Sequence, residues 1–307
     1  MQAERRTEAA ERVRRRVNAT VHGSGLDPGR YAHPAGDAGL FGPDSLVWRV
    51  HGDLPGMFTG GIAALLLQSL HPLAIAGVDQ HSDFRSDPLD RLHRTAGFVS
   101  VTSYGSTEAA ESALAGVRRI HTRVRGTAPD GRPYAADDPA LLRWVHVAEV
   151  HCFLAGYQRY GRQQLTQGEC DRYYREVAVV AERLGATEVP VSTAEVHAYL
   201  SSVRAELEPS EAALEAVRFL RGFAGAGGDP LERGALRALT NGAADLLPRW
   251  AAGMLGVDRP AAARVLLDRP AVRAVGAVLR FGCEPSLIIT AARERALAAP
   301  AEAGRSR

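Results

Sequence analysis

Apolar residues recur at helical spacing along almost the whole chain, with Gly- and Pro-rich breaks between the repeats. Long runs of alternating apolar and polar residues, which would indicate half-buried strands, are absent from the sequence. With 307 residues, 46% of them hydrophobic, the chain can bury a substantial core. The sequence therefore predicts an all-α protein that forms a single globular helical domain of about ten helices.

Within that domain we distinguish three parts. Residues 1–44 are predicted to form an N-terminal helix and a loop or lid, residues 45–250 the helical core, and residues 251–307 the C-terminal helices and a loose tail after Pro300. Helix starts are predicted where a proline falls in a first turn or where a capping box occurs, at 87–88, 137–139, 166–169 and 192–195. Breaks are expected at 225–230, near Pro260 and at 282–285.

Charge and cysteine content exclude several classes of protein. The formal net charge is +2, with 37 basic residues that are all Arg and 35 acidic residues, so a nucleic-acid partner is not expected. The cysteines, Cys152, Cys170 and Cys283, are scattered and odd in number, which fits a reducing compartment better than a disulfide framework. The first residues lack the apolar core of a secretory signal. We expect a cytoplasmic protein.

The stretch from Met57 to Val78 is apolar and long enough to imitate a transmembrane span. Gln68, His71 and the helix-breaking Pro72 interrupt it. We therefore expect a buried core helix that bends or ends near Pro72, and no transmembrane segment.

Arg118, His121 and Arg125 follow one another at spacings of three and four, which places them on one stripe of a helix predicted to run to Gly126. The same side of this helix carries Ala110, Leu114, Val117 and Val124. A neutral imidazole facing an apolar interior could bind a metal, and the two guanidiniums could bind the carboxylates of a cofactor. A hydrogen-bonded core histidine, with the arginines paired to Asp or Glu, explains the same pattern, and both interpretations stay open at this point.

Arg91, Arg94 and Thr95 share one face of the preceding helix. That face is either a solvated basic surface or a polar patch that stabilises anionic oxygen species above a metal centre. His146 and His151 are five residues apart and do not share a face, so they do not form a zinc-protease motif, and core packing is the default for both. His71 and His81 fall beside helix ends, from which a polar side chain can reach into a cavity.

Eight short motifs occur in order along the chain. They are Leu67-Gln-Ser-Leu-His71-Pro72, Gly77-Val-Asp-Gln-His81-Ser82, Arg91-Leu-His-Arg94-Thr95, Tyr104-Gly105, Val117-Arg-Arg-Ile-His121, Val124-Arg125-Gly126, Tyr134-Ala-Ala-Asp137-Asp-Pro139 and Trp144-Val-His146. This series resembles the oxygenase family that unites the MpaB-type oxygenases with the latex clearing protein, a rubber oxygenase, over roughly residues 45–250.

The resemblance implies an all-helical protein whose pocket encloses a b-type haem. It implies that His121 is the proximal iron ligand, that Arg118 and Arg125 support the haem pocket, and that His146 is a further pocket histidine. Arg91 and Thr95 match the polar residues on the other side of the haem in rubber oxygenases.

One position departs from the rubber oxygenases, which have Lys where this chain has Arg94. A guanidinium does not readily lose its proton, so iron ligation from that side is not expected. Arg91, Arg94 and Thr95 remain the catalytic candidates, and His71 and His81 are the nearest candidates for a base.

These observations predict an oxidoreductase: a haem b-dependent oxygenase that uses dioxygen to oxidise an apolar small molecule. Alkenes, isoprenoids and polyketide-like compounds are candidate substrates, and an electron donor is a candidate partner. The alternatives are a non-catalytic haem- or ligand-binding helical protein, and a haem-free family member that catalyses a non-redox reaction in its apolar cavity.

Overall fold

The computed structural model describes residues 2–22, 27–81, 88–226 and 229–299, and it confirms the all-α prediction. The helices are α1 (Gln2–His22), α2 (Leu46–His51), α3 (Leu54–Gln68), α4 (Pro72–His81), α5 (Pro88–Tyr104), α6 (Thr107–His121), α7 (Pro139–Tyr160), α8 (Gln167–Leu184), α9 (Thr193–Ser202), α10 (Glu211–Ala226), α11 (Pro230–Leu246), α12 (Arg249–Met254), α13 (Ala261–Ala263), α14 (Arg269–Cys283) and α15 (Leu287–Leu297). There are more than the ten or so predicted, because α2, α12 and α13 are too short to show a helical period in the sequence.

The centre of the core is the packing of α3 against α7. Glycine makes this close approach possible: a Cβ at Gly60 would lie 2.7 Å from the carbonyl oxygen of Cys152. Leu67 and Leu70 at the end of α3 are fully buried, as is Trp144 on α7. Helices α11 and α14 cover the other side of α3, so α3 is enclosed on several sides, as its apolar sequence predicts.

The break at Pro72 is confirmed. Helix α3 ends at Gln68 and α4 begins at Pro72, with 104° between the two axes. In the part of the chain that the structure describes, no single helix meets the length and hydropathy needed to cross a membrane, and only two sharply bent helix pairs meet them together: α3 with α4, and Ala261–Cys283 with α15.

Capping side chains start the helices where the sequence predicts. The Asp138 carboxylate accepts hydrogen bonds from the backbone N–H groups of Ala140 and Leu141. Thr166 and Glu169 form the expected capping box. Ser192 caps α9, which ends at Ser202 and continues as a 3-10 turn to Glu206. The predicted breaks at 225–230, at Pro260 and at 282–285 all separate helices, whereas the predicted loose tail lies outside the described residues.

The prediction of one helix from Thr107 through Arg125 is wrong at its C-terminal end. Tight hydrogen bonds from Arg123 N–H to Ile120 and from Val124 N–H to His121 end α6 at His121. Arg125 instead begins the strand β1 (Arg125–Thr127), which pairs antiparallel with β2 (Pro133–Ala135) across a Pro-Asp-Gly turn. This β-hairpin is the only sheet in the described part of the chain.

Both ends of the described chain pack against the core. Helix α1 lies against α14 and α5. The loop that precedes α2 is held in place by Arg295 of α15, which is 1% exposed. The Arg295 guanidinium donates hydrogen bonds to backbone carbonyls of this loop and to others at the C-terminal end of α5. The acceptors are the carbonyls of Tyr31, Asp37, Tyr104 and Gly105. The loop at 27–45 is therefore tied to α5 and α15.

Candidate functional site

His121 lies at the C-terminal end of α6 and is half-buried. Its Nδ1 atom is buried and has no hydrogen-bond partner among the described residues. Burial lowers the pKa of the imidazole, and the nearby carboxylate of Asp137 opposes that shift. The ring is therefore neutral at neutral pH, with one buried nitrogen unsatisfied. Unsatisfied buried polar groups are rare in proteins, and a neutral imidazole is the form that binds metals.

The two arginines flanking His121 are not buried. Arg118 is exposed, and Arg125 is exposed over 59% of its side chain and forms a 2.8 Å ion pair with Asp137. The expectation of an interior stripe with two cations is wrong because solvent exposure avoids the large cost of burying unpaired guanidiniums. Both guanidiniums therefore face solvent, and Asp137 lies near both Arg125 and His121.

His81 lies near the same hairpin. Its Nε2 is 3.2 Å from the carbonyl oxygen of Arg125, and its ring meets that of Tyr134 edge-on, with 6.1 Å between the centroids. The side chain is exposed. The structure thus brings His81 close to the chain segment that follows His121.

His71 lies at the opposite end of α4 from His81. It is 7% exposed and packs beside Trp144, with 5.9 Å between the ring centroids. Its Nδ1 has no partner in the described part of the protein, and its Nε2 is 4.0 Å from a carboxylate oxygen of Glu206. Burial lowers the pKa of this imidazole. The structure therefore does not place His71 and His81 in one site.

The predicted polar patch belongs to α5, which packs against α1, α2 and α6. Arg94 and Thr95 are exposed on this helix. The side chain of Arg91 lies outside the described residues. The two described side chains of the patch thus face solvent.

His146 lies in the interior on α7, with Glu149 one turn further along the same face. His146 is 8% exposed, and burial lowers its pKa to about 4. Burial also raises the pKa of Glu149 to about 7. At neutral pH the histidine is uncharged, and the carboxyl group is divided between its protonated and ionised forms.

His51, at the end of α2, lies close to His146, and Tyr173 of α8 lies close to Glu149. The Nδ1 of His51 lies 2.8 Å from the hydroxyl oxygen of Ser103 on α5, and its Nε2 lies 3.0 Å from the hydroxyl oxygen of Tyr173. Burial, followed by the proximity of His146, lowers the pKa of His51 to about 3. Four helices therefore contribute to one group of polar side chains, which we call the interior cluster: His51, Ser103, His146, Glu149 and Tyr173.

The interior cluster can hold and transfer protons. A carboxyl group with a pKa near neutrality can act as an acid or as a base, and His51 is held at both ring nitrogens. The sequence predicted His146 as a pocket residue but not His51, Ser103 or Tyr173. These three come from helices that are distant in the sequence, and a single histidine at the end of a short apolar helix is too weak a signal to identify them.

The fold and these residues define a class: an all-helical protein with neutral histidines and an acid of raised pKa in its interior, as is common in enzyme active sites. The family model described as "ER-bound oxygenase mpaB/B'/Rubber oxygenase, catalytic domain" matches residues 48–281. The chain belongs to this family, which confirms the resemblance found in the eight motifs, and it carries the catalytic domain of an oxygenase. No curated protein and no solved structure matches the chain.

Proposed function

We propose that the protein is a haem b-dependent oxygenase that uses dioxygen to oxidise an apolar small molecule. Membership of an oxygenase family supports the reaction class. The observation that carries the choice of cofactor is the half-buried, neutral imidazole of His121, whose Nδ1 has no partner among the described residues. A metal ligand needs this protonation state.

The residues around His121 fit such a group. His121 would hold the iron, and the exposed guanidiniums of Arg118 and Arg125 would bind the propionates. Arg125 is exposed over 59% of its side chain and would share its guanidinium between Asp137 and a propionate. When bound, haem supplies the redox chemistry that activates dioxygen.

The chain's own residues would control protons and water. Glu149 can donate a proton to, or accept one from, a reacting oxygen atom near neutral pH, because its pKa is about 7. His146, one turn away on the same face of α7, stays uncharged at neutral pH and so adds no second charge beside Glu149. Ser103 and Tyr173 hold the ring of His51 and so keep the cluster in one arrangement.

The polar residues of α5 complete the proposal. Arg91, Arg94 and Thr95 would donate hydrogen bonds to the reacting oxygen, with His71 or His81 as a base. Arg94 and Thr95 are exposed in the present structure, so this role is supported by membership of the family and not by the geometry of α5. The substrate would be an alkene, isoprenoid or polyketide-like compound, and the protein would act in the cytoplasm with an electron donor.

Haem binding by His121 can be tested by absorbance of the purified full-length protein. We expect the wild type to take up hemin and show a Soret band, and His121→Ala to weaken hemin affinity by roughly tenfold or more, since it removes the side chain that would hold the iron. His33→Ala, at an exposed histidine outside the site, is the matched control and should behave as wild type. A protein that takes up no hemin, or a His121→Ala variant that binds it as tightly as wild type, would overturn the haem proposal.

Catalysis needs a separate experiment. Reduced, haem-loaded protein is mixed anaerobically with apolar alkenes, oxygen is admitted, and products are measured by mass spectrometry. We expect products that contain oxygen from labelled dioxygen. Stable haem binding without any oxygen-dependent product would instead identify a non-catalytic haem protein.

A further inference from the structure

A cavity of about 500 Å³ lies on the opposite face of α7 from the interior cluster. On that helix the cavity is lined by His151, Ala155 and Arg159, which follow one another at spacings of four and so form a single stripe. Helices α9, α11, α12 and the start of α14 complete the walls. The cavity shares none of the residues to which we assign a role in the oxygenase site.

A helical irregularity brings two arginines together in this cavity. Residues Arg264–Asp268 form a π-helical turn, in which the backbone N–H of Arg269 bonds to the carbonyl of Arg264. In a regular α-helix, residues five apart point about 140° away from each other. The wider π turn instead lets Arg264 and Arg269 reach the same carboxylate, that of Asp245, at 3.2 and 2.7 Å. Such turns occur frequently at functional sites.

The cavity carries more positive than negative charge. Four arginines line it: Arg159, Arg249, Arg264 and Arg269. Asp245, whose side chain is completely buried, neutralises only one guanidinium of the pair that binds it. Arg249 has an exposed partner, Asp258, at 3.7 Å, and Arg159 forms no ion pair within the described ranges. Nε of Arg264 is buried without a partner in the described part of the chain.

Other walls of the cavity are apolar. Trp250 is half-buried there, next to Leu200 and Leu247. Burial and the proximity of His197 lower the pKa of His151 to about 4, so this ring is uncharged at neutral pH. The volume falls within the range of small-molecule pockets, which combine apolar walls with a few polar groups.

We propose that this cavity binds an amphipathic organic anion, with its oxyanion head on Arg159, Arg264 and Arg269 and its apolar body against Trp250. Guanidinium groups bind carboxylates and phosphates through paired N–H donors, and a bound oxyanion would balance the surplus charge. This inference is independent of the proposed oxygenase function.

Four probes distinguish the contribution of the ligand's charge to binding from that of its apolar body: decanoate, decyl phosphate, 1-decanol and inorganic phosphate. Each is titrated into the full-length protein below its micelle concentration, by calorimetry and by tryptophan fluorescence. Trp250 is the informative fluorophore, because Trp48 and Trp144 are buried. We expect saturable binding of both decyl anions, at least tenfold tighter than binding of the alcohol or of phosphate alone. The tighter of the two anions identifies the head group.

Variants locate the site. Arg159→Gln removes one exposed guanidinium without disturbing the Asp245 ion pairs, and we expect it to weaken decyl-anion binding roughly tenfold. Trp250→Leu should weaken binding of the decyl probes and remove the fluorescence change that accompanies binding. The exposed Arg293→Gln on α15 is the control and should bind as wild type. Equal binding of anion and alcohol, or wild-type affinity in Arg159→Gln, would overturn the proposal.

Discussion

The two faces of α7 carry different kinds of titratable side chain. On one face, His146 and Glu149 lie in the interior cluster, where burial keeps the histidine neutral and brings the pKa of the acid to about 7. On the other face, Arg159 lines a cavity that holds three more arginines and the buried carboxylate of Asp245. One helix thus separates a site without guanidinium groups from one in which four guanidinium groups lie beside the neutral ring of His151.

The difference follows from whether the side chains on each face can lose their charge. Histidine and glutamate can lose their charge by gaining or releasing a proton, so burial shifts their pKa values instead of requiring a partner. Arginine cannot be deprotonated in a protein, so a buried guanidinium needs acceptors for its N–H groups, such as the Asp245 carboxylate for Arg264 and Arg269 or the backbone carbonyls around Arg295. The neutral face suits proton transfer, and the charged face suits binding of an anion.

The charged face should be the more sensitive to loss of a single group. Asp245→Asn leaves Arg264 and Arg269 without their carboxylate, and we expect it to lower the free energy of unfolding by about 3–5 kcal/mol. Urea unfolding measures this change. Asp258→Asn, which affects only the exposed pair with Arg249, should cost less than about 1 kcal/mol. Equal effects of the two variants would show that the Asp245 pairs do not behave as buried ones.

The neutral face should respond to pH through Glu149. An unfolded glutamate ionises near 4.5 and the folded one near 7, so the folded state binds more protons between these values, and this carboxyl's contribution to stability falls as pH rises through them. Glu149→Gln cannot ionise, so its stability relative to wild type should increase from pH 4.5 to pH 8 by up to about 3 kcal/mol.

This change is measured by urea unfolding of both proteins at the two pH values. The exposed Glu182→Gln on α8 is the control and should show no such difference. A constant difference between Glu149→Gln and wild type at both pH values would mean that Glu149 ionises normally in the folded protein.

The smallest of these effects should come from the hydroxyl groups that hold His51. Tyr173→Phe leaves the Nε2 of His51 without its protein partner and should lower the free energy of unfolding by about 1 kcal/mol. Ser103→Ala should act similarly at Nδ1, and nitrogen chemical shifts of the imidazole would show which tautomer each hydroxyl group favours. Unchanged stability and unchanged shifts in both variants would remove His51 from the interior cluster.

Much of the fold could be predicted because its signals are local. Asp138 and Thr166 cap helices through their own neighbours in the sequence, and Pro72 breaks the apolar segment by its missing N–H. The family could be recognised from motifs for a related reason, since each motif is a short string of residues. Such strings are sufficient to single out His121 and His146 as candidate site residues.

The rest of the site could not be predicted in this way. Helical spacing continues in the sequence beyond His121, but the chain turns there and pairs β1 with β2, which carries Arg125 away from the stripe. The pairing of two arginines across the π turn also could not be predicted, because residues five apart do not share a face of an ordinary helix.

The sequence by itself determined the all-α class, most helix boundaries and the oxygenase family, because periodicity, capping and motifs are properties of neighbouring residues. Only the tertiary structure decided which side chains meet. It exposed Arg118 and Arg125, brought His51 close to His146 and within hydrogen-bond distance of Ser103 and Tyr173, and placed four arginines in a cavity on the other face of α7. The physical reason is that burial and ion pairing depend on the packing of helices distant in the sequence, and that packing sets both the pKa of a group and its partner.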